Sequence, residues 1–150
     1  MLILKRYVTK ISLILMITLP VAVYGDSGGL VLIANSNVDT SSLNRRYIEA
    51  VYLGRRRYWS SDSPVKVIMF PQNHENHIRL CRSFLKVTPK VLSRNWDRIK
   101  YTGFGRGFSL VSTEAEMLDM ISKTPGAAGY VSSSFYSQNN KGGVNVITFE

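Results

Sequence analysis

SSLNRRYIEAVYLGRRRYW, residues Ser41 to Trp59, holds a helix, its stop and a cluster of basic and aromatic side chains in one short run. Leu43, Tyr47, Ile48, Val51 and Tyr52 recur at spacings of three and four, so they share one face of a helix. Asn44, Arg45, Arg46 and Glu49 fall largely on the other side. Ser41 or Ser42 is the expected N-cap. Gly54 is placed to end the helix in a left-handed conformation, and Arg55, Arg56 and Arg57 follow where positive charge complements the negative end of the helix dipole. The plain reading is a packed helix with a solvated basic edge. The other reading makes Arg55, Arg56, Arg57, Tyr58 and Trp59 a partner surface, since Arg, Tyr and Trp are the residues enriched among interface anchors.

Upstream, Leu30 to Ala34 is a continuous apolar run, the mark of a strand covered on both faces, and Asn35 to Ser42 reads as a polar loop. Downstream, Asp62-Ser63-Pro64 is a turn and Val65 to Phe70 a second strand, stopped by Pro71. Strand, loop, helix, turn and strand in that order begin an α/β pattern. A second helix is expected from Asn73, its N-cap, to Leu85. Thr88-Pro89 opens a third, with Val91, Leu92, Trp96 and Ile99 buried and Arg94, Arg98 and Lys100 in water. The glycines between Gly103 and Gly107 demand an unusual backbone path. Ser112 or Thr113 caps a fourth helix to about Lys123, packed through Met117, Leu118 and Ile121, and Thr113 to Glu116 has the form of a capping box. Thr124-Pro125-Gly126 turns the chain into a strand at Ala128 to Val131. Ser132 to Gly143 reads as a loose polar loop, and Val144 to Phe149 as the last strand.

Residues 1–25 have the layout of a secretory signal: Lys5, Arg6 and Lys10, then the apolar run Ile11 to Val23, then small residues at Val23 and Gly25. The run is short for a membrane span, so no lasting anchor is expected after cleavage, and the compartment is the periplasm. Residues 26–150 suit one compact domain. Taking Lys5, Arg6 and Lys10 from the 19 basic residues leaves 16 against 10 acidic ones. That balance fits an anion, an anionic surface or an acidic protein patch, while export argues against nucleic acid. Cys81 is the one cysteine, so no internal disulfide forms, and its apolar neighbours predict a half-buried thiol.

Chemistry is scarce. His74 and His77 with Glu75 are too few ligands for zinc, no G-x-S-x-G elbow occurs, and Glu114, Glu116 and Asp119 read as a solvated helix face. An enzyme is not expected, nor a metal or cofactor. The Gly103 to Gly107 loop lacks the ending of a Walker A motif, although its N–H groups with Arg106 suit an anion as well as they suit a structural turn. Helix N-termini near Asn73 and Ser42 offer further N–H donors.

Taken in order, AVYLGR (Ala50 to Arg55), Trp59, the segment Trp96 to Gly107 and GAAGYV (Gly126 to Val131) resemble the phosphate-type substrate-binding proteins of ABC uptake systems. In that family an I-F-L-G-K-like helix end, a tryptophan, a W-x(n)-G-K-G-like segment and G-A-I-G-Y-V follow one another. The resemblance implies an α/β fold of the periplasmic-binding-protein type II kind, a mixed sheet flanked by helices, here long enough for a single lobe. It departs after Phe70, where the family's R-S-D-G-S-G-T anion motif is replaced by Pro71-Gln72-Asn73-His74-Glu75-Asn76-His77. Gln72, Asn73 and the helix N-terminus carry over as donors, with Arg79 a turn or more beyond. Two functions follow. One is capture of phosphate or another oxyanion through Asn73, His74 and nearby N–H groups, assisted by Ser36 or Arg106, for delivery to an ABC permease. The other is a non-transport interaction or sensory module built on one lobe, meeting an envelope protein through Arg55 to Trp59.

Overall fold

The computed structural model describes residues 29–60, 62–103, 107–140 and 142–149. The signal segment 1–25 and Arg106 lie outside them. In chain order the elements are β1 (Leu30–Asn35), α1 (Arg45–Tyr52), β2 (Tyr58–Ser60), β3 (Ser63–Pro64), β4 (Lys66–Met69), α2 (Glu75–Arg79) with a π-helical continuation (Leu80–Leu85), α3 (Pro89–Tyr101), β5 (Phe108–Leu110), α4 (Glu114–Lys123), β6 (Ala127–Ser132), α5 (Ser133–Asn139) and β7 (Val144–Val146).

Five strands form a mixed sheet in the order β5-β4-β6-β1-β7, and β2 and β3 make a separate hairpin. β4 runs parallel to β5 and β6, whereas β1 is antiparallel to β6 and β7. Leu30 pairs with Ser132 and Ala34 with Ala128, so β1 starts where β6 finishes. The sheet therefore has one end where β4, β5 and β6 terminate, and an opposite end where they begin and β1 terminates. All six residues of β6 are buried, as expected of a central strand covered on both faces. Ile33, Ile48, Val51, Tyr52, Leu80, Met117, Ile121 and Val131 have no exposure at all; each contributes roughly 2 kcal/mol by leaving water.

The amphipathic helix of the opening stretch forms, and Gly54 ends it at φ +72° with Arg55 N–H bonded to Ala50 O. Its N-cap is Asn44, whose Oδ1 accepts from Tyr47 N, and not Ser41 or Ser42. Ser41 is held instead by Asp39, whose Oδ1 accepts from both its N–H and its hydroxyl. The second helix likewise starts one residue later than expected, because His74 rather than Asn73 is the cap. Its imidazole lies flat on Phe70, 3.9 Å between centroids, and Nδ1 accepts from Asn76 N. The segment then widens into the π-helix, which ends at Lys86 with φ 57°. Cys81 inside it is fully buried, not half-buried.

In α3 the buried stripe runs through Leu92 and Trp96, which turns Val91 outward at 48% exposure, contrary to the expected packing. Thr113 caps α4 as expected, with Glu116 returning its carboxylate to Ser112 N, one residue ahead of the cap. The expected loop from Ser132 to Gly143 contains α5 instead. Ser132 Oγ caps it at Phe135 N, and Phe135 and Tyr136 pack against the core. The last strand is shorter than the expected Val144 to Phe149, covering Val144–Val146.

Candidate functional site

Because β4, β5 and β6 are parallel, α2, α4 and α5 all begin at the same end of the sheet. The turn Pro71 to His74, closed by His74 N–H on Pro71 O, leaves Gln72 and Asn73 exposed. Behind it, the buried Asn76 donates Nδ2–H to Glu114 Oε1 at 2.8 Å, and Ser132 N–H donates to the same oxygen. One carboxylate oxygen of α4 thus collects donors from α2 and from the last residue of β6. Arg79 is bridged to Glu75 one turn earlier. His74, as cap and stacking partner, presents its Nδ1 to its own helix.

Beneath this layer, Tyr130 Oη accepts from Phe70 N–H at 3.1 Å and lies 2.7 Å from His77 Nδ1. Among the described residues the buried phenol has no other acceptor for its proton, so we assign it as the donor to His77 Nδ1, which puts the imidazole proton on Nε2. Burial lowers the His77 pKa, with His74 adding to it, and burial raises that of Tyr130.

Ser36 is not part of this group. It follows β1 at the opposite end of the sheet, its N–H on Gly143 O and its carbonyl accepting from Asn145 Nδ2. The six residues of β1 put ~20 Å between the two ends at about 3.3 Å per residue. The same far end carries Arg55, Arg56, Arg57, Tyr58 and Trp59 together. Tyr47 Oη donates to Tyr58 O and Trp59 O, its ring stacks on Trp59 with centroids 6.2 Å apart, and Arg56 lies 4.4 Å above Tyr47 on its own account. Trp59 Nε1 donates to Gly126 O at 2.9 Å. A cleft of about 160 Å³ beside them is lined by Arg56, Arg57, Tyr58 and Lys66 over Trp96 and Ile99.

Sequence reading weighed His77 only as a metal ligand and Glu114 only as part of a solvated helix face, and gave Asn76, Ser132 and Tyr130 no role of their own. Glu114 was visible as a first-turn acid of a capped helix, but its partners lie 38 and 18 residues away and come together only through the sheet order. Among the described residues there is no group of three potential metal ligands, and no helix is long and apolar enough to cross a membrane.

No family model matches the sequence, and no curated protein matches it. Solved structures do. PstS from Borrelia burgdorferi superposes with a TM-score of 0.63 at 13% identity, over 82% of this chain and 47% of that one. A protein described as a phosphate ABC transporter substrate-binding protein with bound phosphate, from Clostridium perfringens, gives 0.62 at 16% identity, over 81% of this chain and 45% of that one. An ABC-type phosphate transport receptor from Vibrio cholerae gives 0.51 at 15% identity, over 81% and 46%. The chain spans less than half the length of each, and the likeness is one of fold.

Proposed function

We propose that this chain is an exported, periplasmic solute-binding-like protein that takes phosphate or a similar oxyanion at the end of the sheet where β4 and β6 terminate. The observation that carries the reading is the pair of donors, Asn76 Nδ2–H and Ser132 N–H, aimed at a single carboxylate oxygen of Glu114. Donors converging on one anionic oxygen suit an oxyanion from solution equally well, and charge-assisted hydrogen bonds of this kind are the strong ones. Gln72 and Asn73 stand exposed in the turn just ahead of α2, and proteins of similar fold include a phosphate transport receptor and one solved with bound phosphate, which supports the reading. Glu114 is then a competitor, which an incoming anion displaces. The work is binding and not catalysis, with an ABC permease as the natural recipient.

The test is calorimetry with phosphate, sulfate and acetate at low ionic strength, where charge is least screened. Glu114→Ala is expected to bind phosphate at least about tenfold tighter than the parent, because it leaves two donors without an acceptor. Adding Asn76→Ala removes the gain. If neither the parent nor Glu114→Ala binds any anion, the oxyanion reading is wrong.

A second reading has its own observation. The Arg56, Tyr47 and Trp59 stack, pinned to Gly126, gives a rigid basic and aromatic edge ~20 Å from the Glu114 site, the composition of an interface anchor for an acidic envelope partner. On that reading the lobe is an interaction or sensory module, and loss of partner capture in Arg56→Ala with no anion binding would favour it.

A further inference from the structure

Below the turn, and sharing Pro71 and Gln72 with it, is a space whose apolar walls neither reading uses. Between β4 and β5 and the helices α2 and α3, a pocket of about 330 Å³ is walled by Met69, Phe70, Leu92, Trp96, Phe108 and Leu110. Gln72, at the exposed mouth, and His77 and Ser93 are polar groups in its lining. Trp96 Nε1 is committed to Tyr52 O at 2.9 Å, so the indole offers the pocket its apolar face and edge. His77 is different. Its Nδ1 accepts from Tyr130, and among the described residues its Nε2 has no hydrogen-bond partner while no buried side-chain nitrogen or oxygen is left unsatisfied. Nε2–H therefore stays open to an occupant of the space that the ring lines. The residue as a whole is only 4% exposed.

We propose that this pocket binds a small neutral molecule with a compact aromatic body and one hydrogen-bond acceptor, a carbonyl oxygen seated on His77 Nε2–H. The walls supply apolar contact for the ring, and one fixed donor supplies orientation, the usual division of labour in a small-molecule site. A charged ligand is excluded by the same walls, which carry no counter-charge to offset its desolvation.

The probes are acetophenone, ethylbenzene, which keeps the body and lacks the carbonyl, and benzoate, which carries a charge. Calorimetry of the full chain is expected to give one-to-one binding of acetophenone, about fivefold or more tighter than ethylbenzene, the worth of one hydrogen bond. Benzoate gives no heat. Ser93→Trp, at a half-buried position on α3, plugs the space and abolishes acetophenone binding, and His77→Phe makes acetophenone and ethylbenzene equal. Should His77→Phe fail to fold, nitrogen-15 spectra of the parent decide: acetophenone shifts a protonated Nε2 of His77 and leaves Nδ1 in place. Absence of acetophenone binding, equal affinity for the two neutral probes in the parent, or an unprotonated Nε2 overturns the proposal.

Discussion

Where β4, β5 and β6 terminate, the polar groups turn inward on one another: Glu114 on Asn76 and Ser132, Glu75 on Arg79, and His74 on its own helix. Where they begin, the cations Arg55, Arg56 and Arg57 stand out in water on a scaffold of stacked rings. The first end gathers the starts of α2, α4 and α5 and carries carboxylates. The second gathers exposed cations and no such cluster of helix starts. Strand order decides where a site can form, and side chains decide its sign, so likeness of fold alone does not transfer a ligand.

The basic end is tied down at Gly126, and the largest test acts there. Gly126 sits at φ +76°, and a Cβ on it would stand 2.3 Å from Pro64 O. Its N–H is held by Asn37 Oδ1, and its carbonyl accepts from both Lys66 N and Trp59 Nε1. Gly126→Ala is expected to cost about 3 kcal/mol, from left-handed strain plus a backbone clash that cannot relax sideways. Urea unfolding measures it, and a cost below about 1 kcal/mol would mean the hairpin anchor is soft.

Asn35→Ala ranks next. Asn35 is buried at the end of β1, donating to Ile121 O and Ser122 O in the last turn of α4 while accepting from Asn37 N. Removing it leaves those groups unpaired, a loss of about 2 kcal/mol on the same unfolding curve.

The smallest effect belongs to the other end. Burial, and less strongly the proximity of His74, lowers the His77 pKa from 6.5, and Tyr130 lies against its Nδ1. The unfolded chain binds a proton there that the folded chain resists. Stability is therefore full above about pH 6.5 and falls as pH drops below it. Midpoints measured across that range should slope for the parent and lose that component in His77→Phe. A flat parent curve would remove His77 as a titrating partner of the site.

Much of the frame was legible. β1, β4 and β6 are apolar runs that only burial on both faces explains, and the Thr88-Pro89 and Thr113 caps mark α3 and α4. α5 was not legible, because Ser133–Asn139 has two aromatics and no further apolar stripe, and takes its helical form from the Ser132 cap and from packing on the core. β5 is three residues at an edge, too short for any alternation to show. The caps at Asn44 and His74 depended on competitors: Asp39 holds Ser41, and Phe70 holds the imidazole. The candidate site was legible as a stretch of chain, Gln72 to His74, but not as a donor set. Asn76, Glu114 and Ser132 meet through sheet order, and Asn35, which looks like the first residue of a loop, is a buried tie between β1 and α4.

The buried thiol of the π-helix has a consequence for how this protein ages in any oxidising surroundings. Cys81 has no exposure, and burial lifts its pKa to about 11, so in the folded chain it is both unreachable and protonated. A mixed disulfide or a sulfenic acid can then form only during an opening of the fold. The cysteine works as a clock whose rate of modification counts unfolding events, and each molecule so marked is one that has come undone.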